Sequence, residues 1–208
     1  MYQGNNPSAL RSREEIVNAF MTLLQHSSID RITIKQIMDT AGLSRQTFYQ
    51  IFSSKEEILE YYLDTVFGKF TAHCRINTVH NLCDAARLFF GFFEEYKDSL
   101  GLIIRSGNNS VLQNKCREYL QREKFVHYAL RETRTAQEQE YAAAFVICGM
   151  VAMLEQWIRE GAESRLSAQD LALLVCRITG SSKKGIKKIK LLSHSGKSFL
   201  ENLTAPMV

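Results

Sequence analysis

Residues 33–55 read TIKQIMDTAGLSRQTFYQIFSSK, and this stretch decides the fold. Thr33 with Gln36 three residues on forms a capping box, which opens a helix by satisfying its first orphan amides. Ile34, Ile37, Met38 and Ala41 then give that helix one apolar face. Gly42 stops it, as a residue suited to the left-handed conformation does. Leu43 is an apolar turn residue, and Ser44 caps a second short helix running to about Phe52. Two short helices joined by a tight Gly-containing turn follow helix-turn-helix grammar. Near its N-terminal end the second helix carries Arg45, Gln46, Thr47, Tyr49 and Gln50. These residue types reach phosphates or base edges, Arg matching guanine and Gln matching adenine in the major groove. Ala41, Leu43 and Phe48 are expected to lock the two helices together. A plain helical hairpin with a polar outer face shares the same pattern.

On either side the chain keeps reading as helix. Upstream, Ser12-Arg13-Glu14-Glu15 reads as a capping box, and Ile16, Ala19, Phe20, Leu23 and Leu24 follow at helical spacing. Downstream, Ser54-Lys55-Glu56-Glu57 opens a long helix with the stripe Ile58, Leu59, Tyr62, Val66 and Phe70. Residues 71–81 are mixed and read as a connection. Asn81 to Tyr96 is apolar nearly all round, which predicts a central helix. Helices are also expected over Ser99–Ile104, from Val111 to about Arg131, from Thr135 to Arg159, and from Ser167 to about Ile178. Only two prolines occur, Pro7 and Pro206, both outside these predicted helices, so ring clash interrupts none of them. The expected class is all-α: a three-helix helix-turn-helix domain over 10–70, joined by a long helix to a helical regulatory and dimerisation domain over 71–180. Residues 181–208, with six Lys and one Glu, read as a basic, flexible tail.

Composition excludes several classes. With 45% apolar and 23% charged residues, the balance is that of an ordinary globular chain. Five scattered cysteines without a C-x-x-C pair suggest reduced thiols rather than a disulfide scaffold. Residues 1–10 have neither a basic start nor an apolar core, so no signal peptide is expected. No run of about 18 uncharged apolar residues is present, so no membrane span is expected and a cytoplasmic location is. The net charge of +4 is carried by the tail, at +5, which leaves the other 180 residues at −1. Overall basicity therefore says little about nucleic acid. No Gly-rich phosphate loop, G-x-S-x-G or H-E-x-x-H occurs, so neither an enzyme nor a cofactor is expected.

The quoted segment resembles the N-terminal domain of the TetR family of transcriptional regulators. Thr33, Ile37, Ala41, Gly42, Leu43, Ser44, Thr47, Tyr49, Phe52, Lys55 and Leu59 stand in the family's register. The resemblance covers about residues 10–65. It implies that Ser44 orients the recognition helix and touches phosphate, and that Thr47 and Tyr49 meet the DNA backbone. It also implies that Lys55, and with it Thr33, binds phosphate. Arg45 and Gln46 are the expected base contacts. Ile51 departs from the family's usual His or Tyr, which predicts one lost backbone hydrogen bond. Gln46 replaces a frequent Gly and is expected to narrow specificity. Met38 stands for a common Ala, a change of packing only.

The resemblance further implies a homodimer on a near-palindromic double-stranded DNA operator, released as a repressor by an unknown small-molecule effector. A co-regulator acting through a protein partner is the alternative. The last two helices carry Ala142, Ala143, Ala144, Gly149 and Ala152, which permit close helix approach, either across a dimer face or inside the monomer. Phe89, Phe92, Phe93, Tyr96, Phe125, Tyr128, Met150, Met153 and Trp157 are candidates to line an apolar effector pocket, and equally to be core. His73, Cys74, His80 and Cys83 bring soft ligands close in sequence and leave a metal-sensing or redox role open.

Overall fold

The computed structural model describes residues 6–122, 135–161 and 164–180. Among these, the chain forms nine α-helices and no strand. They are α1 (Pro7–Leu24), α2 (Ile34–Ala41), α3 (Arg45–Ile51), α4 (Lys55–Ile76), α5 (Leu82–Glu94), α6 (Lys97–Arg105), α7 (Asn109–Arg122), α8 (Ala136–Glu160) and α9 (Ala168–Ile178), with a 3-10 turn at Ile29–Arg31. The basic segment 181–208 lies outside the described residues.

Local chemistry sets most of the helix ends. Thr33, Thr135 and Ser167 each form a complete capping box with the residue three positions on. Ser44, Ser54 and Asn81 cap α3, α4 and α5 through their side-chain oxygens. Gly42 closes α2 at φ 67°, a left-handed geometry that costs an L-residue roughly 1–2 kcal/mol.

Two boundaries differ from the sequence reading by five residues or more, and the stretch 123–131 expected to be helical lies outside the described residues. Helix α1 starts at Pro7 rather than at Ser12, because Asn6 accepts a hydrogen bond from the Ser8 amide and caps it. Proline is tolerated at that first position, where its missing N–H would have had no helical partner. Helix α4 continues through residues 71–76, which were expected to be connection. Its buried stripe extends to Phe70 and the polar Thr71, and Phe70 packs against Phe89, Phe92 and Phe93 of α5. Tertiary burial therefore carries the helix past the point where its own sequence pattern fades.

Helices α1 to α3 and the first half of α4 enclose a small core of Ile16, Phe20, Ile37, Met38, Phe48, Phe52, Ile58 and Leu59, all essentially inaccessible. Ala41 and Leu43 pack against it, half-buried, in the locking role read from the sequence. Where α1 packs on α4, the buried Arg13 guanidinium sits 5.0 Å from the Tyr61 ring centroid of α4. The remaining helices form the body. Helix α5 is central to it, as its composition predicts, packing most extensively on α9 and also against α4 and α8. Helices α6 and α7 pack on α8. The aromatic heart of the body is Phe67 and Phe70 of α4 with Phe89 and Phe93 of α5, whose ring centroids lie 4.9 to 5.9 Å apart where they touch. Helix α4 is thus part of both cores.

Cys83 of α5 and Cys176 of α9 are joined, with Cα atoms 5.1 Å apart. The expectation of reduced thiols is corrected for this pair. The α5–α9 packing brings together residues separated by 93 positions, which no local spacing reveals. Cys74, Cys116 and Cys148 are not part of a disulfide.

Helix α8 is long and apolar enough, by length and composition, to cross a membrane, although it contains no strictly uncharged run of the length sought in the sequence. Its inner face buries Ala143, Ile147, Met150, Leu154 and Trp157 in the body. Its outer face leaves Tyr141 and Phe145 72% and 75% exposed. A core helix that also presents an apolar outer stripe acquires this composition without any lipid.

Candidate nucleic-acid interface

The α2–turn–α3 unit is built by its caps. The Thr33 hydroxyl accepts from the Gln36 amide at 3.2 Å, and the Gln36 side chain accepts from the Thr33 amide at 2.9 Å. After the left-handed Gly42, Ser44 Oγ accepts from the Thr47 amide at 3.1 Å and lies 2.9 Å from the Thr47 hydroxyl. Both hydroxyls therefore hold the first turn of α3 in place. That first turn also presents free amides and the positive end of a helix dipole, which favour a phosphate.

Helix α3 is short, and its two sides differ completely. Phe48 and Ile51 point into the head core at 0% and 3% exposure. Arg45, Gln46, Tyr49 and Gln50 are all exposed, Tyr49 at 64%. The Tyr49 ring meets the Phe48 ring edge-on, with centroids 5.4 Å apart, so its hydroxyl end is carried outward on a supported ring. The structure brings Arg45, Gln46, Tyr49 and Gln50 together on one outer face, with exposed Thr33 and Ser44 at the two helix starts and Thr47 half-buried beside them. Ile51 is a core residue here and holds no place on that face.

Lys55 is placed differently. Its Nζ donates to three backbone carbonyls, those of Ile29 at 2.7 Å, Ile32 at 3.1 Å and Asp30 at 3.3 Å. An ammonium has three N–H donors, so this set uses all of them. Lys55 thereby ties the start of α4 to the 3-10 turn before α2. Sequence reasoning missed this role, because the carbonyls lie more than twenty positions upstream and carry no side-chain signature.

The residues singled out for an effector pocket are spread over several environments. Phe89 and Phe93 are fully buried in the aromatic core, and Met150 is also buried. Phe92 is half-buried, stacks on Tyr96 with centroids 5.1 Å apart, and borders a surface cleft with His73, Asn77 and Arg87. Met153 is half-buried. Trp157 is buried, donates from Nε1 to the Leu166 carbonyl at 2.8 Å, and carries the Lys97 ammonium 4.2 Å from its ring centroid. Phe125 and Tyr128 lie outside the described residues. Cys83 is joined to Cys176, and among the described residues no group of three or more His, Cys, Asp or Glu side chains is placed to hold a metal.

A capped helix pair with an exposed recognition helix, running on through one long helix into an all-helical body, defines a helix-turn-helix protein. Residues 16–62 match the family described as "Bacterial regulatory proteins, tetR family". Over these residues the chain is similar to the helix-turn-helix domain of that family of bacterial regulatory proteins.

One curated relative is the HTH-type dhaKLM operon transcriptional activator DhaS of Lactococcus lactis subsp. lactis (strain IL1403). It is 32% identical over 65 residues, which is 31% of this chain and 35% of the relative, so the match spans about a third of that relative's length. The solved structure of a dihydroxyacetone kinase operon activator DhaS superposes with a TM-score of 0.59 at 18% identity, covering 83% of this chain and 96% of that one. A TetR transcriptional regulator from Streptococcus agalactiae 2603V superposes with a TM-score of 0.64 at 22% identity, covering 82% of this chain and 94% of that one. These two likenesses extend over head and body and show a shared fold.

Proposed function

We propose that the chain is a transcriptional regulator that binds a near-palindromic operator as a homodimer, inserting α3 of each copy into successive major grooves. The observation that carries this reading is the two-sided build of α3. Phe48 and Ile51 anchor it, and Arg45, Gln46, Tyr49 and Gln50 are all left facing outward. In this reading Arg45 and Gln46 read base edges, Gln50 adds to that face, and Tyr49, Thr47, Ser44 and Thr33 set the register on phosphates. The net charge of the head is small, so affinity comes from two heads bound together, with a salt slope of about −0.9 per phosphate neutralised.

The dimer face we propose is the outer side of α8 and α9. Tyr141, Phe145, Cys148, Gly149 and Ala152 of α8, with Leu173 and Ile178 of α9, form an exposed face of apolar and small residues. Two such hairpins close a four-helix interface. A small effector held in the body would act through α4, which belongs to both cores. Tilting α4 changes the separation of the two recognition helices and releases the operator by population shift, which is repression. A second sign of regulation, activation, is favoured by the names of the two DhaS relatives, both operon activators.

The test is operator selection from a random pool, followed by gel shift. An Arg45→Ala, Tyr49→Ala double variant with unchanged helical circular dichroism should lose the shifted band. Retention of full binding by that variant rejects the interface. Reporter output from the selected operator, with and without the gene, then gives the sign.

A further inference from the structure

A cleft opens where the head meets the body. It is formed by the C-terminal end of α1 with the segment that follows it, and by the C-terminal end of α6. His26, Ser27, Ser28 and Arg31 line one side, and Arg105 and Ser106 line the other. Among the described residues, no Asp or Glu lines it. Among the described residues neither Arg31 nor Arg105 has a carboxylate partner. Elsewhere in the molecule, Lys115, Arg87 and Arg159 are each paired with an acid. The cleft therefore brings together two guanidiniums without a carboxylate partner among the described residues, an imidazole and the Ser27 and Ser28 hydroxyls, an oxyanion-matching donor set.

Helix α6 is also shaped for its arginine. A Cβ added at Gly101 would stand 3.0 Å from Arg105 Nη1, a tight approach that an ordinary side chain would disturb. Gly101 is buried in the middle of a helix, where glycine is disfavoured against alanine by roughly 0.5–1 kcal/mol. Its presence there lets the Arg105 guanidinium lie back along α6. The Ser106 hydroxyl is held in turn, donating to the Ile103 carbonyl at 2.7 Å and accepting from the Asn108 side chain at 3.3 Å. Arg31 is carried by the 3-10 turn that Lys55 clasps. Both arginines are thus mounted on supported backbone, one on the head and one on the body.

We infer that this cleft binds a phosphate group, free or as the phosphate of a small monoester, between Arg31 of the head and Arg105 of the body. Its consequence for regulation rests on the operator binding proposed above, whereas the binding itself does not. A ligand that spans two units favours the relative placement in which both arginines reach it, and so biases the heads for or against the operator.

The experiment is a titration of the isotope-labelled full chain with inorganic phosphate against chloride at constant ionic strength, followed by amide chemical shifts. The expected result is a saturable, phosphate-specific shift confined to residues 25–31 and 102–106, weakened about tenfold in each of Arg31→Gln and Arg105→Gln. Gly101→Leu, which leaves both cations in the chain, should weaken it as well. Arg75→Gln should not. Operator affinity measured in the same two buffers should differ by about fivefold or more, and by less in the variants.

Several outcomes overturn the site. One is a shift that does not saturate, or that survives both arginine variants. Another is a shift centred on Arg45 and α3, which marks competition at the DNA face. A third is a pair of arginine variants that lose operator affinity without losing any phosphate response, which makes these residues DNA contacts. Failure to find any operator leaves the phosphate titration standing as its own test, because that titration uses no DNA.

Discussion

The ammonium of Lys55 sits 2.7 Å from the carbonyl oxygen of Ile29, across the gap between the start of α4 and the turn before α2. This residue matches a family position associated with phosphate, yet in the folded chain it serves as a clasp on three carbonyls. The distinction is measurable. Lys55→Met keeps the aliphatic stem and removes the donors, and should cost the head about 2 kcal/mol, the typical worth of hydrogen bonds to a charged group. Urea denaturation of the full chain reads this directly. A variant with unchanged stability and reduced operator affinity would assign Lys55 to DNA alone.

Gly42 closes α2 at φ 67° with nothing within 4 Å of the place a Cβ would occupy. The cost of replacing it is therefore backbone strain without steric clash. Gly42→Val should destabilise by roughly 1–2 kcal/mol, and Gly42→Asn by clearly less, because Asn visits the left-handed region more readily. Equal losses from the two variants in thermal denaturation would point to a packing role instead.

Gln46 lies on the exposed face of α3, one residue after Arg45. Gln46→Ala should relax discrimination at one base pair of the operator by about 1–3 kcal/mol. The salt slope should stay unchanged, since no phosphate contact is lost. Fluorescence anisotropy on operators with single substitutions separates the two quantities.

Phe145 is 75% exposed on α8. If the proposed α8–α9 face forms the dimer, Phe145→Lys should leave the helical content intact and give a monomer in sedimentation velocity where the unmodified chain sediments as a dimer. The exposed Cys148 thiol beside it should label slowly in the dimer and quickly in this variant. Cys116 gives the control: burial pushes its thiol pKa up, so it should stay unlabelled until the chain unfolds.

Glu57 accepts a hydrogen bond from the Ser53 amide at 2.6 Å, and this bond chiefly holds its carboxyl below the usual range. The folded pKa is depressed, so the stabilisation is complete above the unfolded pKa and is lost as pH falls through the folded one. Wild type and Glu57→Gln should therefore differ in melting temperature near neutral pH and converge as the solution is acidified. A gap that stays constant down to strongly acidic pH would show that the charge of Glu57 contributes nothing.

Legibility in the sequence follows the range of each interaction. The caps at Thr33, Ser44, Thr135 and Ser167, and the stop at Gly42, involve partners three to five residues away, so the residues announce them. The same holds for the inward Phe48 and outward Arg45, Gln46 and Tyr49, which follow from helical spacing alone. Where a neighbour in space extends a local pattern, the sequence falls short. Helix α4 runs on through residues 71–76 because Phe70 finds Phe89, Phe92 and Phe93, and α1 starts early because Asn6 turns out to be its cap.

By itself, then, the sequence determined the all-α class, the helix-turn-helix and the side of α3 that faces outward, because these depend on hydrogen bonds and periodicities within single turns. Only the tertiary structure decided that Lys55 clasps carbonyls more than twenty positions away and that Cys83 meets Cys176. It also decided that Phe89 and Phe93 are core, while Arg31 and Arg105 share a cleft that no acid lines among the described residues. Each of those outcomes depends on which helix faces bury one another, and burial is a property of the packed whole that no window of the chain contains.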